Sequence, residues 1–127
     1  MGLIDSILGK ASEVDGKKIR NDFDHVLLES ETVETAFAVS RQCLLFTDKR
    51  MIFMDVQGLI KSENAFTSVP YRSVATFTAN FAKPCTLTIY LIGREKPFVF
   101  EFGRESGLET AQMLLAAHVG QLRIKKR

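Results

Sequence analysis

Two cysteines and two histidines are the side chains best suited to nucleophilic or metal chemistry in this sequence. Cys43 and Cys85 lie 42 positions apart, and neither histidine follows a cysteine at the spacing of a metal site. Cys85 and His118 could act as a nucleophile and its base, but the cysteine begins a strand-like run and nothing beside it indicates an activated thiol. We therefore expect no metal, no cofactor and no enzymatic activity.

Two smaller motifs have structural explanations that we favour over chemical ones. Asp24 and His25 could form a proton relay, but a histidine at a helix end commonly makes a local hydrogen bond instead. His118, near the end of a predicted helix, suits a partly buried position beside the helix terminus better than ligand binding. Gly103 and Gly107 flank a turn that leads into this helix, without the spacing of a phosphate-binding loop.

Basic side chains concentrate at the C-terminus. Four of the 17 Lys and Arg residues fall in the last five positions, which leaves 13 basic against 15 acidic groups and a net charge of −2 for the rest. Lys125, Lys126 and Arg127 in this tail are candidate contacts to anionic groups, as are Lys49 and Arg50 in a predicted turn. A solubilising terminus and a solvated turn are the ordinary alternatives.

The composition is that of an ordinary soluble domain. At 127 residues the chain is long enough to fold as one domain without disulfides or metal, and its hydrophobic and charged fractions are 46% and 25%. No apolar run reaches the length of a membrane span, and Asp5 interrupts the region where a secretory signal would be basic and then apolar. Both cysteines fall in strand-like runs, which suits reduced thiols. We expect a cytoplasmic protein.

The hydrophobic periodicity predicts two short N-terminal helices, over residues 2–11 and from Asp15 to about His25. Alternation then predicts a first strand with Val33, Thr35 and Phe37 on one face, and six further strands to residue 102. Ser106 and Glu109 form a capping-box pattern that predicts the start of a C-terminal helix. The predicted strands cover residues 32–39, two runs within 44–55, about 60–69, 74–81, 85–92 and 98–102.

These elements predict a mainly β fold of the α+β class: seven antiparallel strands in a meander, a C-terminal helix with a stop at Gly120, and two short N-terminal helices. We divide the chain into an N-terminal helical segment (1–28), a β-rich body with its helix (29–122) and a basic tail (123–127).

The hairpin within residues 44–55 is apolar on both faces. A hairpin with water on one face should alternate apolar and polar residues, so the second face must be covered by a helix or by a neighbouring subunit. Candidate contacts between subunits are therefore Leu45, Met51 and Phe53, together with Leu3 and Ile7 of the first predicted helix.

The turn of this hairpin carries a resemblance to a known family. Residues 45–52, LFTDKRMI, resemble the FTDKRLI-type signature of bacterial and GRAM-like pleckstrin-homology (PH) domains. The start GLIDSILGKASEVD, residues 69–74 (VPYRSV) and the pair Glu101 and Phe102 look like the bacterial PH domain family, formerly a domain of unknown function. The resemblance covers nearly the whole chain. It implies a PH-like barrel in a small cytoplasmic protein that forms cyclic homo-oligomeric rings, with no activity established.

The sequence departs from lipid-binding PH domains in one respect. Those domains are expected to carry several Lys and Arg residues in a long loop between the first two strands, where they bond phosphates. Here Ser40, Arg41 and Gln42 form almost no loop and supply one cation. Our first hypothesis is therefore a non-catalytic scaffold module that self-assembles and binds no nucleic acid, with further protein partners left open. The alternative is a peripheral membrane module.

The membrane hypothesis predicts flotation of the purified protein with anionic vesicles and not with zwitterionic ones. The face from Leu3 to Leu8 and the tail from Arg123 to Arg127 would supply apolar insertion and electrostatic attraction. Deleting both ends should abolish flotation. Equal flotation with zwitterionic vesicles would contradict the role assigned to the basic tail.

Overall fold

A computed structural model describes residues 23–39, 42–55 and 65–124. The predicted first helix, most of the second, and the tail from residue 125 lie outside these ranges. The chain divides into two compact units, Met1–Val69 and Pro70–Arg127. The described elements are β1 (Val33–Val39), β2 (Gln42–Thr47), β3 (Arg50–Asp55), β4 (Phe66–Pro70), a 3-10 turn (Tyr71–Ser73), β5 (Val74–Asn80), β6 (Cys85–Leu91), β7 (Phe98–Phe102) and a C-terminal helix (Glu105–Ile124).

The first unit contains a sheet with the strand order β1-β2-β3-β4. The predicted hairpin is formed by β2 and β3, whose antiparallel register sets Leu45 opposite Ile52 and Phe46 opposite Met51. Both of its faces are buried, as the apolar pattern required. One face, which includes Leu45 and Ile52, packs against Phe23 and Leu27 from the segment before the sheet.

The segment before the sheet forms a hydrogen-bonded turn. The amides of Val26 and Leu27 both donate to the carbonyl of Phe23, at 2.9 and 3.1 Å. This bonding brings Phe23 and Leu27 to the same side, where both are buried, and the ring of Phe23 contacts Phe66 edge-on at 5.4 Å. Apolar cover for one face of the hairpin therefore comes from the chain itself.

Strand β1 contains a β-bulge that the alternation did not predict. Thr35 pairs with Phe46 while Val33 pairs with Thr47, so the register shifts between Val33 and Thr35. An extra residue in one strand reverses which face the preceding side chains occupy. The prediction that Val33 and Thr35 share a face is wrong, and Val33 packs against the core cluster instead.

The second unit contains the sheet β5-β6-β7, covered on one face by the C-terminal helix. Leu87 and Ile89 of β6 and Phe100 and Phe102 of β7 are buried, and the helix buries Leu108, Ala111 and Leu115. Apolar residues at helical spacing on the helix and at alternate positions on the strands thus form a core.

The ends of the C-terminal helix differ from the prediction. The helix begins at Glu105, and the amide of Leu108 donates to the carbonyl of Arg104 at 3.3 Å, so Ser106 lies inside the first turn and is not the N-cap. The helix also continues through Gly120 to Ile124. A glycine ends a helix when it adopts a positive φ, and among the described glycines that conformation belongs to Gly93.

We expect Gly93→Ala to lower the free energy of unfolding by about 1 kcal/mol. Gly93 has a φ of 82° in the turn between β6 and β7, a conformation that costs a side chain about 1–2 kcal/mol. No atom lies within 4 Å of an added Cβ, so the loss would come from the backbone alone. Gly93→Asn should lose less, because Asn tolerates this conformation. Equal urea midpoints for the wild type and Gly93→Ala would contradict the assignment.

Candidate interaction site

Glu31 is the acidic side chain that the fold buries among the described residues, with 3% of its surface exposed. Arg50 holds it in a bidentate ion pair, with Nε to Oε2 and Nη2 to Oε1 both at 2.9 Å. The hydroxyl of Thr47 donates to Oε2 at 2.6 Å and the amide of Leu28 donates to Oε1 at 3.0 Å. A buried carboxylate is costly unless it is paired and hydrogen-bonded, and both conditions are met here.

Arg50 uses its remaining donors to connect three segments of the first unit. Nη1 donates to Ser68 Oγ of β4 at 2.6 Å, and Nη2 donates to the carbonyl of Val26 at 2.9 Å. The guanidinium at the start of β3 therefore contacts the segment before β1 through Val26 and Glu31, and β4 through Ser68. Its planar fork of donors is suited to such a junction, which the point charge of a lysine would not reproduce.

The other polar residues of the turn are also engaged within the chain. Thr47 Oγ1 accepts the amides of Lys49 and Arg50 at 3.1 and 3.0 Å, which closes the turn. Asp48 exchanges two hydrogen bonds with Thr32, through Oδ1 at 2.8 Å and through its own amide at 3.0 Å. The TDKR sequence that carries the family resemblance thus joins the hairpin to the segment that precedes β1.

The environment of Glu31 changes its protonation. Burial of the carboxylate raises its pKa, but the hydrogen bonds from Arg50, Thr47 and Leu28, with the charge of Arg50, outweigh burial and lower the pKa from 4.5 to about 2. The hydrogen bond to Glu31 also raises the pKa of Arg50, against the opposing effect of burial. Both groups are therefore charged at neutral pH.

The structure separates the two cations predicted as anion contacts. Arg50 is bound to Glu31, whereas Lys49 is exposed with its Nζ 3.8 Å from Asp48 Oδ2. Lys125, Lys126 and Arg127 lie outside the described residues. Sequence reasoning missed Glu31, which lies 19 positions before its partner, and no spacing rule connects residues so far apart.

The predicted subunit contacts of the hairpin lie in the core of a single chain. Leu45 and Met51 are 0% exposed and Phe53 is 6% exposed, so their side chains offer almost no surface to a second copy. Leu3 and Ile7 lie outside the described residues. A contact between subunits that uses the hairpin therefore needs side chains other than Leu45, Met51 and Phe53.

The sheet of the second unit presents an outer face on which its three strands place one charged residue, the exposed Glu101 of β7, which pairs with Thr86. Thr76 pairs with Tyr90, Thr78 with Thr88, and Thr88 with Val99, so these five side chains share the face opposite the buried one. We call this surface the threonine face. Tyr90 is 42% exposed and Val99 is 53% exposed, and neither β5 nor β6 contains an Asp, Glu, Lys or Arg.

The candidate catalytic side chains have other partners in the structure. Cys85 Sγ lies 3.5 Å from the carbonyl of Phe81, and the His118 ring stacks on Tyr71 with centroids 4.1 Å apart. Burial raises the pKa of the Cys43 thiol to about 12. Within the described ranges, no cluster of three His, Cys, Asp or Glu could hold a metal, and no helix is both long and apolar enough to cross a membrane.

The fold is that of a PH-like domain, as two solved structures show. A DUF1696 family protein with a pleckstrin-homology domain from Shewanella loihica PV-4 superposes with a TM-score of 0.74 at 24% identity, covering 85% of this chain and 96% of its own. A pleckstrin-homology domain from Shewanella amazonensis SB2B gives a TM-score of 0.71 at 28% identity, covering 93% and 98%.

The chain belongs to the bacterial PH domain family, whose model matches residues 2–119. It is 37% identical over 122 residues to the uncharacterized protein YjqA of Bacillus subtilis strain 168, which covers 92% of this chain and 98% of YjqA. The uncharacterized protein YozO of the same organism is 27% identical over 116 residues, with coverages of 89% and 96%. The resemblance inferred from the hairpin turn is thereby confirmed.

We expect Glu31→Gln to lower the free energy of unfolding by about 3 kcal/mol at pH 7, since it leaves the Arg50 charge without its partner. The pKa of Glu31 is lowered in the folded state, so its contribution is complete above pH 4.5 and disappears as the pH falls towards 2. The difference in the free energy of unfolding between the wild type and Glu31→Gln should therefore disappear as the pH falls from 4.5 to 2, as measured by urea titrations.

The exposed Glu95→Gln in the β6–β7 loop is the matched control and should track the wild type at every pH. If the difference in the free energy of unfolding between the wild type and Glu31→Gln stays constant from pH 7 to pH 2, this would contradict the role of the ion pair.

Proposed function

We propose that this bacterial PH domain is a non-catalytic interaction module that self-assembles into a cyclic homo-oligomer. The observation that carries the proposal is the threonine face, an exposed sheet surface without a charged residue on β5 or β6, next to which β7 supplies one charge, Glu101. The solvent face of an antiparallel sheet ordinarily carries polar and charged side chains. The aromatic side chain of Tyr90 and the β-branched side chain of Val99 lie among threonines, and both are suited to burial against another protein surface.

Strand β5 adds a second feature that favours association. It lies at one edge of the β5-β6-β7 sheet and has no Lys, Glu or Pro among its seven residues. Edge strands are normally protected from pairing with another chain by such residues or by a covering element. The free edge of β5 and the threonine face are thus both suited to contact a neighbouring copy of the chain.

A ring needs a contact between two different surfaces of each chain, repeated around an axis. The threonine face would supply one of these surfaces, and the second would lie elsewhere on the neighbour. Because a stable interface buries about 1,200 Å² or more in total, the threonine face would form the centre of a larger contact. The hairpin residues Leu45, Met51 and Phe53 support the fold of each subunit instead.

We expect the wild type to elute in size-exclusion chromatography with light scattering at a multiple of its 14.3 kDa chain mass at micromolar concentration. Replacing both Tyr90 and Val99 by Lys should reduce the mass, since it places charges in the centre of the contact. Leu28→Lys, which changes an exposed apolar residue of the first unit, is the control and should keep the wild-type mass. A monomeric wild type would contradict the proposal.

A further inference from the structure

Strand β5 forms an unprotected edge of the β5-β6-β7 sheet. It is the outermost strand in the order of that sheet, so one side of its backbone has no partner among the described strands. Such a strand presents N–H and C=O groups to which another strand can bond, and charged residues or proline normally prevent this. None of the seven residues of β5 is charged or proline. Ala75, Thr76, Thr78 and Asn80 are exposed.

The other described edge strands carry residues that discourage pairing. β1 and β4 are the edges of the first sheet and contain Glu34 and Pro70, and β7, the second edge of its own sheet, contains Glu101. A partner that extends the sheet beyond β5 must itself supply a strand with a free edge. Among the described edges of a second copy, β5 is therefore the one best suited to contact β5.

The sequence of β5 reads the same in both directions. Residues 75–79 are Ala-Thr-Phe-Thr-Ala, with Phe77 at the centre. In an antiparallel pair centred on Phe77, Thr76 of each copy lies opposite Thr78 of the other, and the two Phe77 side chains lie opposite each other. Such Thr–Thr and aromatic pairs stabilise neighbouring strands. The register shift between Val74 and Thr76 lies outside the central Thr-Phe-Thr segment.

The two faces of the sheet also match across this pair. Phe77 pairs with the buried Ile89 and therefore lies on the covered face, whereas Thr76 and Thr78 lie on the threonine face. Because side chains alternate along a strand, the pairing sets all four threonines of two copies on one face and both phenylalanines on the other. Phe77 is half-buried in the single chain, so a second copy would cover more of its ring.

We propose that β5 pairs with β5 of a second copy of this chain, antiparallel and centred on Phe77. The contact is self-complementary, closes after two copies and joins two three-stranded sheets into one sheet of six strands. A standard interface contains about 20–30 residues a side, whereas β5 has seven. The pairing therefore rests on the proposed self-assembly, to which it adds a two-fold contact between two rings.

The first test detects the register of this pair by cysteine cross-linking. Thr76 and Thr78 of opposite copies would be about 4.5–5.5 Å apart between Cα atoms, which a disulfide spans. The two Thr76 residues would be diagonal neighbours about 7–8 Å apart, which is too far. Co-expressed Thr76→Cys and Thr78→Cys chains should therefore form a covalent dimer, and neither variant alone should form one.

The cross-linking uses a mild added oxidant, which accepts two electrons as two thiols form one disulfide and release two protons. The native thiols of Cys43 and Cys85 are buried, so the wild type should give no covalent dimer. Ala82→Cys, in the exposed loop between β5 and β6, is the matched control and should also give none.

The second test compares masses by light scattering for two charged double variants. Thr76→Lys with Thr78→Lys sets like charges opposite each other in the proposed register, whereas Thr76→Glu with Thr78→Lys sets opposite charges there. Both place two charges on the threonine face, so the comparison isolates the strand pair from other contacts of that face. The first double variant should show half of the mass of the second.

The outcomes separate this inference from the proposed function. An assembled wild type that fails either test would overturn the β5 pairing alone: no disulfide from the co-expressed chains, a covalent dimer from Thr76→Cys or Thr78→Cys alone, or equal masses for the two double variants. A monomeric wild type would instead refute the self-assembly and the pairing together.

Discussion

The first unit depends on one buried ion pair. A carboxylate removed from water must be compensated almost completely, and Glu31 accepts four hydrogen bonds from Arg50, Thr47 and Leu28. This requirement fixes the relative positions of the donors, because none of them can move away without leaving a buried charge unpaired. The ion pair therefore determines how the segment before β1 lies against the hairpin and β4, and with it the apolar cover of Phe23 and Leu27.

The sequence pattern predicted β5, β6 and β7 well because residues that face the core alternate along them with residues that face away from it. The ends of β5, β6 and β7 agree within one residue with the predicted runs, since Leu87, Ile89 and Phe100 must all face the same core. The family resemblance followed from the turn, whose Thr47 and Arg50 have fixed structural roles. Periodicity and turn chemistry act over a few residues, and both are visible in a sequence.

Features that depend on long-range contacts were not visible. The ion pair between Glu31 and Arg50 joins residues that are 19 positions apart. The sequence also does not show whether a helix or a neighbouring subunit covers the second apolar face of the hairpin, so both alternatives remained open. The helix continues past Gly120 because a glycine ends a helix when it adopts a positive φ, and Gly120 does not adopt one. The candidate surfaces for association were recognised from exposure, which the three-dimensional structure alone reveals.

The bulge in β1 has a consequence for how the family can vary. The extra residue between Phe37 and Val33 reverses which face of the sheet the preceding side chains occupy. Val33 therefore faces the core cluster, and Glu31, two residues earlier, lies beside Thr47. Without the extra residue, Glu31 would fall on the opposite side of the sheet from Thr47. The length of chain between Glu31 and Phe37 is therefore as strictly constrained as the residues of the ion pair, and a relative that loses one residue there must also lose or relocate its buried charge.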